Sequence, residues 1–335
     1  MDAAKRLKGH HFIIKIVSLA ILTLLTGVAG LLIGSVNISL KDLFDLVFNS
    51  AASTELTRQV IYEVRLPRVL LAIAVGGGLS VSGAVFQAIL MNPLAEPYIL
   101  GISSGAAFGA VLSFLIGTAF FLTQVFSFGG AISVIFLVFL LGKRFGELEP
   151  NVLLLSGVMV GAFFSASILM MTTMLNETLR TAVFWLMGHL ALADPKAVYV
   201  IFPLSVAISF LLSLNSHRYN VLSLGTETAQ HLGINTSALK NMTYILTSLL
   251  IGLLVSVSGI IGFVGLLVPH LCRMIFGVDN RIVIPASFFI GAAYLTLTDT
   301  VSRTIIAPAE IPVGAVTAIL GAPVFVYLLR KRFNW

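Results

Sequence analysis

The side chains in this chain that could do chemistry are few, and they stand apart from one another. Of 335 residues, 58% are hydrophobic and 10% are charged, against about a quarter charged in ordinary soluble domains. Inside the long apolar stretches the main strongly polar side chains are Gln87 and His270, with Asp299 near the end of one stretch. Ion-coupled transport calls for embedded carboxylates or paired charges, and this set supplies neither. His270 follows Pro269 near the end of a short apolar run, where packing or a helix-end hydrogen bond suits it better than proton relay. The pairs Ser82-Gly83, Ser104-Gly105 and Ser258-Gly259 could present a nucleophile, but no base is placed by the sequence to activate one. They read as small-residue packing sites. Cys272 is the single cysteine, with no partner for a disulfide and no Cys or His at metal-ligand spacing, so it reads as a small buried apolar residue. No catalytic residue and no metal ligand are expected. There is also no G-x-x-x-x-G-K-[ST] phosphate loop, so nucleotide hydrolysis is expected to reside in another chain.

The elements that position these residues follow from lipid. A spanning helix needs roughly 20 mostly apolar residues at about 1.5 Å each to cross about 30 Å of hydrocarbon. Apolar runs predict ten such helices, near 12–33, 67–90, 98–117, 124–142, 152–174, 196–214, 241–257, 260–276, 282–298 and 311–329. The first run follows Lys5, Arg6 and Lys8 like a signal peptide. It is too long for one, and Gly34-Ser35-Val36 is a weak cleavage site, so it is kept as a span. The expected fold class is all-α: a polytopic membrane protein of about ten transmembrane helices, residues 1–335 forming one transmembrane domain. The net charge of +6 comes from short basic clusters between apolar runs and carries topology, not a nucleic-acid footprint. With the amino terminus cytoplasmic, only Lys41, Arg58, Arg65, Arg68, Arg180, Lys196 and Arg303 of the 20 basic residues fall outside, which favours both termini in the cytoplasm.

Three connecting segments exceed a minimal turn: residues 35–66 and 175–195 outside, and 215–240 in the cytoplasm. Gly101, Gly105 and Gly109 on the third span, with Gly157 and Gly161 on the fifth, are spaced for close helix contact. Ser80-Val81-Ser82-Gly83 recurs as Ser256-Val257-Ser258-Gly259 in spans of opposite direction, as in an inverted repeat.

Four stretches rise above this background. They are Arg65-Leu66-Pro67-Arg68, Asn92-Pro93-Leu94-Ala95-Glu96-Pro97, residues 222–233 with breaks at Gly225 and Gly233, and Gly262-Phe263-Val264-Gly265-Leu266-Leu267-Val268-Pro269-His270. Together with Glu310-Ile311-Pro312-Val313-Gly314 and Leu320-Gly321-Ala322-Pro323-Val324-Phe325, and in this order from about residue 60 onward, they resemble the permease subunits of ABC importers for iron-siderophores, haem and cobalamin, whose fold is the type II importer permease.

The resemblance implies a homodimer resting on two ATP-binding cassette ATPases and fed by a soluble or lipid-anchored substrate-binding protein. ATP and magnesium would sit on the ATPase, and no cofactor is expected in this chain. It implies that Arg65, Arg68 and Arg303 dock the binding protein, as planar guanidinium groups suit carboxylates. It further implies that Glu227, Ala229, Leu232 and Gly233 belong to the coupling helices that press on the ATPase. The cytoplasmic gate would lie at Asn92, Leu94 and Asn151, with spans five and ten and a short helix near 177–188 lining the pathway. The family's small hydroxyl residues before span five are replaced here by Glu149-Pro150-Asn151, with Glu149 reading as a solvated loop acid. The substrate class stays open: relatives carry metal chelates, and some carry oxyanions such as molybdate. An ion-coupled secondary transporter is the rival that the charge-poor spans disfavour.

Overall fold

A backbone in hydrocarbon has no water to bond, so each apolar stretch must satisfy its own amides, and helices do this within one segment. The computed structural model describes residues 9–34, 36, 38–48, 54–144, 147–192 and 194–333. Among them are fifteen α-helices: α1 Gly9–Leu32, α2 Leu40–Phe48, α3 Glu55–Gln59, α4 Leu66–Ile89, α5 Ile102–Leu115, α6 Phe120–Leu141, α7 Pro150–Thr172, α8 Leu179–Leu186, α9 Pro195–Leu214, α10 Ser216–Leu222, α11 Thr226–His231, α12 Thr236–Ser258, α13 Val264–Phe276, α14 Asn280–Ser302 and α15 Val313–Phe333. One two-residue antiparallel pairing, β1 Lys143–Arg144 with β2 Glu147–Leu148, closes the turn before α7.

Among the described residues, seven helices are long and apolar enough to cross a membrane, and three shorter apolar ones lie at Ile102–Leu115, Val264–Phe276 and Val313–Leu328. These fall on the ten apolar stretches read from the sequence. The differences lie at the ends. The second span begins earlier, since α3, a six-residue π-helix Val60–Arg65 and α4 run on as one rod of 35 residues, Glu55–Ile89. The third and eighth are shorter because Gly101 (φ 73°) and the 259–263 segment, with Gly259 at φ 69° and Phe263 at φ 68°, leave the helical region before α5 and α13. Among the described residues 35–66, read as a loop, α2 and α3 appear.

Helix α4 is the hub. Its most apolar window is 89% buried, against 17% for α1 at the rim, and it packs on α14, α9, α12 and α13. Close approach there requires glycine: a Cβ on Gly83 would stand 1.7 Å from the Gly265 carbonyl oxygen of α13, and one on Gly76 2.2 Å from that of Gly291 in α14. With no hydrophobic drive between helices in lipid, such backbone contact is what lets dispersion forces hold the bundle. The glycines singled out by spacing are used the same way, Gly105 and Gly109 against α6 and Gly101 against Gly157 and Gly161 of α7. The two Ser-Val-Ser-Gly copies differ locally: Gly83 lies within α4, whereas Gly259 ends α12. Cys272 is fully buried, as its sequence context predicted.

Candidate functional site

A helix of 24 residues is about 36 Å long, so the start of α4 and the turn after it stand at opposite ends of the bundle. At the α4 start, Arg65, Arg68 and Arg303 come together, all under 8% exposed. Arg65 reaches back to the last turn of α1, its Nη1 donating to the carbonyls of Leu31 at 2.6 Å and Leu32 at 2.8 Å and its Nη2 to that of Val36. The Leu31 and Leu32 carbonyls have no partner within α1, and a cation there also meets the negative end of the helix dipole. Arg303 does likewise for Gly30 and also donates to Thr300 Oγ1 at 3.3 Å.

Arg68 holds two carboxylates at once. Its Nε donates to Asp299 Oδ2 at 2.9 Å and Oδ1 at 3.1 Å, its Nη2 to Oδ1 at 2.9 Å, and its Nη1 to both Glu310 oxygens at 2.9 and 3.0 Å. The Asp299 side chain is 2% exposed and that of Glu310 is 34% exposed. Asp299 also faces Arg303 Nε at 3.9 Å. His189 completes the cluster 3.8 Å from Glu310. Its Nδ1 accepts the Ala191 N–H at 3.2 Å, which requires that nitrogen to be unprotonated. Burial, reinforced by the Arg68 charge and opposed by the two carboxylates, holds the imidazole below its ordinary range, so it is neutral at physiological pH and the contact with Glu310 is not an ion pair. The three arginines foreseen as outward docking groups are therefore turned inward here, where they join α1, α4, α14 and the segments before α9 and α15.

At the opposite end the 215–240 segment holds α10, α11 and the start of α12, with the breaks read from the sequence at Gly225 (φ 115°) and Gly233 (φ 82°); between them stands the single helix α11, and α10 ends at Leu222, where the stretch 222–233 begins. Ala229 is fully buried and fastens α11 to the bundle, while Glu227, Leu232 and Gly233 face outward, Leu232 at 63% exposure. Gln230 Nε2 donates to Thr236 Oγ1 at 3.0 Å, tying α11 to α12. Asn220 ties α10 to α14: its Nδ2 donates to Asp279 Oδ1 at 2.7 Å and its Oδ1 accepts the Asn280 N–H at 2.8 Å. The hydrogen bonds of the Arg281 guanidinium pull the Asp279 carboxyl down to about 2. A cavity of about 750 Å3 opens beside α11, bordered by Met91, Glu147, Glu149, Asn151, Thr226 and Lys240. Lys240 is 6% exposed and its Nζ lies 3.4 Å from Thr226 Oγ1. Of the residues expected at the gate, Asn151 borders this cavity. Asn92 and Leu94 form the adjacent turn, in which Asn92 Oδ1 accepts the Leu94 N–H at 2.9 Å.

A bundle of ten apolar helices, with two short helices fastened across one end and no nucleotide-binding loop, has the shape of a permease. Residues 21–331 match the model of the FecCD transport family. The chain belongs to this family. It is 38% identical over 323 residues to a molybdate import system permease of Haemophilus influenzae, covering 93% of this chain and 94% of that protein. It is 36% identical over 321 residues to a hemin transport system permease of Yersinia pestis, covering 94% of each. A solved structure described as an inward-facing conformation of a metal-chelate type ABC transporter superposes with a TM-score of 0.83 at 34% identity, covering 96% of this chain and 99% of that one. This FecCD permease is thus an ABC transporter permease and a multi-pass membrane protein. Such a permease is a transport subunit that works with an ATPase and a binding protein.

Sequence reasoning missed three features of this FecCD chain. Glu149 is no solvated loop acid: its Oε2 accepts the Val152 N–H at 2.7 Å and caps α7, with Pro150 in the first turn. Glu96 folds back into the bundle, where its Oε1 accepts the Phe263 N–H at 3.0 Å and burial pushes its carboxyl above the ordinary range against that hydrogen bond. Gln87, read as an isolated polar group, donates to the Ala95 carbonyl at 3.1 Å and accepts from Arg273. The proline-bracketed turn is thus pinned to both α4 and α13. The capping signal was present in Glu-Pro-Asn ahead of an apolar run. The other two depend on contacts 167 and 186 residues apart and left no local trace.

Proposed function

We propose that this chain is the permease subunit of an importer that moves a metal chelate, of the iron-siderophore, haem or cobalamin class, across the cytoplasmic membrane. In this reading two copies form the pathway, two separate ATPase subunits drive it, and a soluble or lipid-anchored binding protein delivers the substrate. Both termini and α10–α11 face the cytoplasm, and the arginine cluster faces outward. The observation that carries the reading is the construction of α10 and α11. They are fastened to α12 and α14 through side chains, yet they leave Leu224 and Leu232 exposed at 66% and 63%. An apolar knob on an element wired to two spanning helices suits a partner that pushes.

The residues take these roles. Leu232 and Glu227 meet the ATPase, Ala229 anchors α11, and Gly233 allows the chain to turn back into α12. Lys240 of α12 and Glu149 before α7 both line the cavity beside α11, so narrowing that cavity carries movement from α11 toward Asn151, Asn92 and Leu94 at the gate. At the outer end Asp299 holds the bidentate Nε–Nη2 face of Arg68, and Glu310 occupies the Nη1 arm that a carboxylate of the binding protein would use. Docking through Arg68 then proceeds by exchange of the partly exposed Glu310, with Arg65 and Arg303 holding the frame. No cofactor is needed in this chain, since ATP and magnesium sit on the ATPase.

A second reading keeps the machinery and changes the cargo to an oxyanion, favoured by the 38% identity to a molybdate import permease. Purifying the cognate binding protein and identifying its bound ligand by mass spectrometry and metal analysis separates the two. An iron, haem or corrinoid ligand supports the proposal, and a molybdate or tungstate signal overturns it.

A further inference from the structure

The segment that follows α1 carries a face that the transport mechanism leaves unused. Helix α2, Leu40–Phe48, begins eight positions after α1 ends at Leu32, so it sits where a spanning helix leaves the hydrocarbon. At 100° per residue its side chains divide into three sectors. Leu46 is buried and Leu43 partly so, packed with Ile38 and Ile61 against the π-helix that leads into Arg65. Lys41, Asp42 and Asp45 form the polar sector, with Asp42 accepting from the Ser39 N–H and hydroxyl at 2.8 and 2.7 Å. Leu40, Phe44 and Phe48 follow at i, i+4 and i+8 and are 67%, 61% and 73% exposed. The two phenylalanine rings stand 4.7 Å apart, making one continuous apolar ridge.

We propose that this ridge lies in the lipid interface, making α2 a membrane-surface helix that props the entrance of α4 from the bilayer side. Three observations select lipid as its occupant. The ridge continues around the helix from the sector already packed on protein, and the polar sector lies on the far side, the arrangement of a helix lying in the plane of an interface. The helix is tethered to α1, whose apolar window is 17% buried and which therefore runs at the rim of the bundle. The ridge is also too small for a protein partner. Three large side chains offer on the order of 500 Å2, each aromatic contributing about 150–250 Å2, where a stable protein interface buries about 800 Å2 on each partner. With one lysine against two aspartates, α2 takes its hold from apolar insertion and not from anionic headgroups.

The test uses the full permease with its ATPase in phosphatidylcholine liposomes. Cys272, the single cysteine, is buried, so cysteines introduced one at a time from Leu40 to Phe48 can carry a nitroxide label. Labels at Leu40, Phe44 and Phe48 are expected to relax more with oxygen than with a water-soluble nickel chelate, and labels at Lys41 and Asp45 the reverse. Higher nickel than oxygen accessibility at Phe44 and Phe48 overturns the proposal. So does spin–spin broadening from a second copy, or shielding that arises only when binding protein is added. Phe44→Trp covers the case of a label that disturbs folding: brominated acyl chains should quench the new emission, and its persistence in brominated lipid overturns the proposal equally. None of these readouts depends on the cargo, so they stand or fall apart from the transport assignment.

Discussion

Replacing Asp299 by asparagine removes a carboxylate that both Arg68 and Arg303 face. Asp299 and Arg68 are 2% and 6% exposed at the side chain, and three hydrogen bonds of 2.9–3.1 Å join them. Removing one partner of a buried pair costs about 3–5 kcal/mol when the charge left behind is uncompensated; Arg68 keeps Glu310 on its Nη1, so the loss falls at the lower end of that range. Glu310→Gln breaks the other arm of the same guanidinium, but Glu310 is 34% exposed and water can replace it. That loss is at most about 1 kcal/mol. Thermal unfolding of the purified permease in lipid nanodiscs should therefore rank Asp299→Asn well below Glu310→Gln. The double variant Arg68→Met with Asp299→Asn should be less damaged than the two single losses added together, since the orphaned charge is gone. Equal midpoints for Asp299→Asn and Glu310→Gln, or full additivity in the double variant, would refute the buried-clasp reasoning.

Three further outcomes are expected. Gly83→Ala places a methyl group 1.7 Å from the Gly265 carbonyl oxygen, where backbone cannot yield, whereas Gly129→Ala meets nothing within 4 Å; size-exclusion chromatography should show loss of monodisperse protein for the first and none for the second. His189 has its folded-state value held down, so below the ordinary imidazole value of 6.5 the unfolded chain binds the proton that the folded one refuses, and stability falls as pH drops through that point. His189→Gln should flatten this part of the pH–stability curve, and an unchanged curve would remove His189 as its source. Leu232→Asp puts a charge on the exposed knob of α11 without touching buried Ala229, so the permease should remain folded while the ATPase fails to co-purify; normal co-purification would remove Leu232 from the contact.

The spans were legible because lipid imposes one length and one composition on every crossing, and the ten apolar runs obey both. Their ends were not, because they depend on backbone conformation: α5 and α13 start late where Gly101, Gly259 and Phe263 adopt positive φ. Helix α2 was hidden for another reason. It spans nine residues, too short to register as a crossing, and its three-sector pattern makes sense only once a protein face and a lipid face are both available. Among the site residues, the breaks on either side of α11 could be read from Gly225 and Gly233, whereas α10, which ends at Leu222, carries no such mark at its start. The inward turn of the arginines could not be read. Arg68 meets Asp299 and Glu310 across 231 and 242 residues, and an isolated guanidinium near a span end is equally consistent with headgroup, partner or buried acid. Lys240 was likewise taken for a cytoplasmic loop charge, and only the packing of α12 against α11 and β2 buries it.

On the proposed function, this chain is a passive pathway moved by a separate motor. The direct measurement is uptake into proteoliposomes of the ligand carried by the cognate binding protein, with the permease reconstituted alone, with its ATPase, and with both ATPase and binding protein. Uptake is expected only for the complete set with ATP and magnesium, and it should survive collapse of proton and sodium gradients. Uptake by the permease alone, or uptake that follows an imposed ion gradient without ATP, would contradict the account.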